Sequence, residues 1–136
     1  MIEHIWTIPC RYILTDKTTN APSYIGIIEG GASVKFPAKF PPLSMATTWR
    51  KTSTEAEILE VRVLLEGPSK QKRVVMATDP ITMEKQTHRL NLSCGLDVKE
   101  PGTHYLITQL KKDGKRWVTV SRLPFEIIQT STISSS

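Results

Sequence analysis

His104-Tyr105-Leu106-Ile107-Thr108-Gln109-Leu110, Lys111-Lys112-Asp113-Gly114-Lys115-Arg116 and Trp117-Val118-Thr119-Val120 form the run whose reading settles the fold class. Two β-rich segments flank Asp-Gly, the pair that a type I′ turn needs because both central residues take positive φ. A two-residue loop at Asp113-Gly114 sets an expected register. Leu110 faces Trp117, Thr108 faces Thr119 and Leu106 faces Ser121 on one side; Gln109 faces Val118, Ile107 faces Val120 and Tyr105 faces Arg122 on the other. The opposite side is half apolar too, so neither side reads as wholly solvated.

Working outward, the same period of two recurs. Leu59, Val61, Val63 and Leu65 alternate with Glu60, Arg62, Leu64 and Glu66, and Gly67-Pro68-Ser69-Lys70 then turns the chain into Arg73–Ala77. His88, Leu90, Leu92 and Cys94 share a face further on. Nearer the start, residues 4–14 and 23–28 read as strands around a turn at residues 16–20, and Val34-Lys35-Phe36 as a short strand. Pro37–Pro42 reads as a crossing between sheets, because proline donates no ladder hydrogen bond. Leu43, Met45, Thr47 and Trp49 line one side of the next strand. The strongest helical signal is a single turn at residues 79–84, with Asp79 as N-cap and Pro80 behind it.

Val, Ile and Thr supply 37 of the 136 residues, with nine Pro and seven Gly between them. Many short strands and at most one helical turn predict an all-β chain: a two-layer antiparallel β-sandwich, immunoglobulin-like or similar. A single domain over 1–129 and a Ser/Thr-rich flexible tail over 130–136 are expected. No basic segment followed by an apolar run opens the chain, and no apolar run reaches membrane-spanning length. A cytoplasmic protein without a membrane partner is therefore expected.

Net charge is +5, from 18 basic and 13 acidic residues. That permits a polyanionic partner without demanding one. Lys70, Lys72 and Arg73 flank one turn, and Lys111, Lys112, Lys115 and Arg116 surround the other. Were both tips at one end of the sandwich, the seven cations would form a nucleic-acid patch, with Trp117 near enough to stack on a base. Tip lysines have a simpler use, keeping sheet edges soluble.

Chemistry-bearing motifs are sparse. Cys10 and Cys94 have no metal-ligand spacing and read as buried thiols, although two strands could bring them into a bridge. His88 and Cys94 are six residues apart on one strand, about 20 Å, so they form no dyad by proximity. His104 could approach Cys94 only across strands. Asp16, Asp79 and Asp97 fall in loops without calcium-binding spacing. No P-loop or nucleophile elbow is present. No catalytic residue, metal or cofactor is expected.

Arg11-Tyr12-Ile13-Leu14-Thr15-Asp16, Asn20, Ser23-Tyr24-Ile25-Gly26-Ile27-Ile28-Glu29, Phe36-Pro37, Pro41-Pro42-Leu43, Leu65-Glu66-Gly67-Pro68 and Pro101-Gly102-Thr103-His104-Tyr105 together resemble a family of small uncharacterised bacterial proteins, a domain of unknown function. The resemblance covers most of residues 8–129 and implies a single-domain β-sandwich. It implies no activity, cofactor or catalytic residue. Thr18-Thr19-Asn20-Ala21 departs from it, where Asn-Gly or Gly-Lys is more typical.

The functional expectation is a non-catalytic protein-interaction module that binds a protein partner through a sheet face, edge or loop end; a self-assembling structural subunit with an exposed Leu43-Met45-Trp49 face is a further reading. The alternatives are nucleic-acid binding through the basic hairpin tips, and a hydrolase-type enzyme using His88 or His104 in a site assembled across strands.

Overall fold

The computed structural model describes residues 1–131 and contains ten strands and no helix among them. They are β1 (Ile2–Thr15), β2 (Pro22–Ile27), β3 (Gly30–Ser33), β4 (Ala38–Lys51), β5 (Glu57–Glu66), β6 (Lys72–Ala77), β7 (Ile81–Met83), β8 (Thr87–Val98), β9 (Gly102–Lys112) and β10 (Trp117–Gln129). One sheet has the order β2-β1-β4-β8; the other runs β3-β10-β9-β5-β6, with β7 also on β5. The all-β sandwich stands. All pairs are antiparallel except β3 against β10, which is parallel.

Alternation in the sequence becomes the core directly. Leu43, Met45 and Trp49 of β4, Leu59, Val61, Val63 and Leu65 of β5, and Leu92, Leu96 and Val98 of β8 are all buried. They meet Leu106 and Leu110 of β9 and Phe125 and Ile127 of β10. The Leu43-Met45-Trp49 face is thus the inside of the sandwich. It cannot serve self-association, since one flank of a central strand must cover the opposing sheet.

Other departures have local causes. Residues 81–83 form strand β7 rather than a helical turn: Met83 is fully buried and Thr82 exposed, and pairing with β5 outweighs the capping signal. Pro41-Pro42 lie within β4, where the register shifts between Phe40 and Leu43. A bulge is where a strand tolerates missing donors. The short strand sits at Gly30–Ser33 instead of Val34–Phe36.

The final hairpin keeps its turn but not its register. Asp113 and Gly114 have φ of 50° and 70°, and Lys115 N donates to Lys112 O at 3.0 Å. Trp117 then pairs with Lys111, and Thr119 with Gln109, one residue out of the expected step. A second shift around Val120 sets Ser121 opposite Thr108 and Leu123 opposite Leu106. Each extra residue turns a side chain over, so Trp117 leaves the Leu106–Leu110 face for the outer one.

Thr130 N donates to Ser33 O at 3.0 Å, and the expected flexible tail falls otherwise mostly on residues 132–136, outside the described ones. No helix among the described residues is long and apolar enough to cross a membrane.

Candidate functional site

The seven candidate cations do not form one patch. The β5–β6 turn follows Glu66, whereas the β9–β10 tip lies beside Ile58 and Leu59, since Leu59 pairs with Lys112 and Asp113 N donates to Ile58 O. Seven residues of strand separate the two ends, about 23 Å. Several of the charges are also matched. Lys112 lies 2.6 Å from Glu57, Lys111 3.4 Å from Glu60 and Lys72 3.5 Å from Glu66. Arg73 donates to Asp97 O. Lys70, Lys115 and Arg116 are exposed. Trp117 is covered by the Arg62 guanidinium, 4.2 Å from the ring centre, and by Lys111 Nζ at 4.9 Å. Its ring is therefore already occupied rather than open to a base.

These contacts belong to a ladder on the outer face of the larger sheet. Arg62 donates to Gln109 Oε1 at 2.7 Å, and Gln109 Nε2 donates to Thr119 Oγ1 at 3.2 Å. Arg122 stacks 3.5 Å from the Tyr105 ring centre and donates to Glu66 Oε1 at 2.7 Å. That hydrogen bond holds the Glu66 carboxyl below its ordinary value; burial opposes the shift, and the charges of Arg122 and Lys72 add to it. A carboxyl whose folded pKa is depressed stabilises the fold above its unfolded pKa and loses that contribution as pH falls through the folded value. Glu66→Gln should therefore be less stable than the parent at neutral pH. The gap should close below about pH 4.5, the ordinary glutamate value. Urea midpoints measured at pH 7 and pH 3 check this, and an equal gap at both would refute it.

The candidate nucleophiles are separate. Cys10 pairs across the ladder with Ser44, and Cys94 with Leu43, so the thiols project to opposite faces of one sheet and cannot bridge. Both are free. Burial raises both thiol pKa values, with Arg73 partly offsetting the shift at Cys94, so neither is an activated nucleophile. His4 bonds Thr7 Oγ1 at 2.6 Å and stacks edge-on against Trp49. His88 pairs with Trp49 across β4 and β8. His104 bonds Gly102 O. Among the described residues no histidine pairs with a carboxylate or a thiol, and no three His, Cys, Asp or Glu side chains converge as metal ligands. Asp16 instead accepts from Thr18 N and Thr19 N, closing the first turn.

Two features were not singled out from the sequence. The first is an arm. β1 pairs with β4 over Ile2–Cys10 and with β2 from Cys10 onward. Trp6, Thr48 and Arg89 form one row across the smaller sheet. Extended straight, Tyr24 would lie beside Ile13, seven residues from that row. Yet Trp6 Nε1 donates to Tyr24 OH at 3.3 Å, and Arg89 Nη1 to Asn20 O at 2.7 Å. The β1–β2 hairpin therefore folds back over the outer face of its own sheet. Gly26, at φ 70°, lies at the bend, in a conformation that side chains resist. Beneath the arm Cys10, Ala46 and Thr48 are buried. Along the arm Tyr12 is 64%, Leu14 56% and Ile25 42% exposed, with Tyr12 directly opposite Ile25, and Ile27 at its base is 61% exposed. The sequence did carry a trace of this, because Tyr12-Ile13-Leu14 and Tyr24-Ile25 are apolar on both faces.

The second feature is a crevice of about 210 Å³ at the Glu66 end of the sandwich. Gly67 and Arg73 from the β5–β6 side, and Asp97, Lys99 and Glu100 from the end of β8, surround the edge of His104.

The chain matches no family model, and no curated protein matches it. Among solved structures it is similar to the Pseudomonas fluorescens alkylpurine DNA glycosylase AlkC bound to DNA containing an abasic site analog, with a TM-score of 0.50 and 8% identity. That likeness covers 93% of this chain but 30% of the other, so this chain spans under a third of that protein's length. At this identity the likeness is one of fold.

Proposed function

We propose that the protein is a non-catalytic binding module that docks a protein partner through the outward face of its β1–β2 arm. One observation carries this reading: Tyr12, Leu14, Ile25 and Ile27 stand exposed together on a single hairpin. Apolar side chains grouped in this way mark interaction surfaces far more than isolated ones do. Tyrosine beside aliphatic neighbours also matches the composition of interface centres. The separation of histidines, thiols and carboxylates supports a binding role over a hydrolytic one. A cytoplasmic setting and kinship with the small bacterial sandwich proteins belong to the same proposal.

The test uses the purified protein, immobilised, and an extract of its source cells. A partner retained by the parent and then purified should bind the double variant Tyr12→Asp, Ile25→Asp at least tenfold more weakly, about 1.4 kcal/mol. The variant's melting temperature should stay close to the parent's, because both side chains are exposed. Equal retention by parent and variant, or no retained protein at all, overturns the proposal.

Nucleic-acid binding is the second reading. It is favoured by the +5 charge and by the DNA-bound state of the AlkC structure. It requires affinity for plain single- or double-stranded DNA that falls steeply with salt. The paired lysines and the covered Trp117 ring weigh against it.

A further inference from the structure

We propose that the protein forms a symmetric dimer in which β8 of one copy pairs antiparallel with β8 of a second, joining the two four-stranded sheets into one. β8 is an outer strand, with β4 on one side and no strand on the other among the described residues. The β4–β8 ladder decides which backbone groups face the open side. Lys51 N donates to Gln86 O at 2.8 Å, and Thr47 Oγ1 donates to Leu90 O at 2.7 Å, so the even-numbered residues turn their carbonyls to β4. The N–H and C=O groups of Arg89, Asn91, Ser93 and Gly95 therefore point outward. Such a row of unpaired groups is a template for another strand. Asp97 O, next in the row, is taken by Arg73, which ends the open stretch.

The other edges carry devices that discourage such pairing. The uncovered part of β10 has Pro124 and a register shift between Thr119 and Ser121; that of β1 has Pro9 and a shift between His4 and Trp6. β2 bends at Gly26, and β6 opens on Lys72 and Arg73. β8 contains no proline and no lysine, and exposed and covered side chains alternate along all 12 of its residues.

Charge selects both the occupant and the register. Arg89 and Asp97 lie on the outer face of β8, both exposed, and neither has an ion-pair partner among the described residues. They stand four residues to either side of Ser93. A twofold axis at Ser93 sets each copy's Arg89 opposite the other's Asp97, Asn91 opposite Gly95, and Ser93 opposite itself. An antiparallel copy of the same strand thus supplies its own complement, and opposite charges directly across a ladder attract. Arg89 gives one N–H to Asn20 O and keeps others for the carboxylate. On the inner face the partly buried Leu90 and Cys94 would meet Leu96 and Leu92 of the second copy.

Analytical ultracentrifugation of the full chain over a concentration series tests the assembly. The parent should sediment as a monomer–dimer equilibrium, and a mass that stays monomeric at millimolar concentration overturns the proposal. Arg89→Asp and Asp97→Arg each set like charges across the ladder, so each variant alone should dimerise at least tenfold more weakly. Mixed in equal amounts, the two variants restore opposite charges at both contacts and should regain the parent's affinity. Melting temperatures near the parent's in dilute solution show that both variants fold. Ser93→Cys should oxidise to a disulfide-linked dimer, because directly opposite Cα atoms in such a pair lie about 5.5 Å apart. Asn91→Cys should not, since Asn91 would lie four residues, about 13 Å, from its own counterpart; the parent is the blank for Cys10 and Cys94. A dimer indifferent to both charge reversals, a mixture no tighter than its components, or equal cross-linking at 91 and 93 each overturns the assignment.

Discussion

Trp49→Ala is expected to cost about 3–5 kcal/mol, the range for removing a fully buried large aromatic side chain. Trp49 is completely buried at the inner face of β4. Its ring packs edge-on against His4, with centroids 5.1 Å apart. Its Nε1 donates to Thr47 Oγ1 at 2.8 Å, and that hydroxyl donates in turn to Leu90 O at 2.7 Å. Truncation thus opens a cavity between the sheets and removes one link of a buried chain joining β4 to β8. Trp49→Phe fills most of the volume and loses only the polar link, so its cost should be smaller, about 1–2 kcal/mol. For a chain of this size the alanine variant should melt roughly 10 °C lower or more. Urea denaturation of the three proteins checks the order. An alanine variant within 1 kcal/mol of the parent would mean the sheets do not close over this ring.

Gly30→Ala should be nearly as damaging, for a different reason. Gly30 pairs with Glu126 in the parallel β3–β10 ladder. A Cβ at Gly30 would stand 2.0 Å from Glu126 O and 2.9 Å from its carbonyl carbon. Both obstacles are backbone, so no rotamer relieves the clash, and β3 must move away from β10. Glu126 N, which donates to Glu29 O at 3.0 Å, would lose its partner in the same step. The expected loss is about 2–3 kcal/mol, in the range for overpacking plus an orphaned backbone group. Amide exchange should locate the damage, with Glu126, Ile128 and their neighbours losing protection and the β5–β9 centre keeping it. Unchanged protection along residues 126–129 would show that β3 does not depend on this close approach.

The two substitutions mark how far the sequence could be read. Trp49 was legible because Leu43, Met45, Thr47 and Trp49 repeat with period two, and that period is a property of one strand. The inner faces of β5 and β8 followed in the same way. The arrangement around Gly30 was not legible. A parallel edge pair joins residues nearly a hundred positions apart, and a glycine required by a distant carbonyl resembles any loop glycine.

The candidate sites divide likewise. The cations at each turn were visible, yet whether two turns share an end of a sheet depends on strand order. With β9 antiparallel to β5, the tips fall at opposite ends. Trp117 changed faces because one extra residue at the turn shifted its pairing from Leu110 to Lys111, and nothing local announces such a shift. The arm and the crevice lay further out of reach, since each exists only where remote elements meet.

What the sequence alone determined was the class of fold and most of the inward side chains, because β-branched content, alternation and turn residues act over a few neighbouring positions. Tertiary structure alone decided which turns are neighbours, which apolar residues stay uncovered on the arm, and which charges surround His104. Those outcomes depend on pairing between distant strands, and local propensity carries no information about a partner fifty residues away.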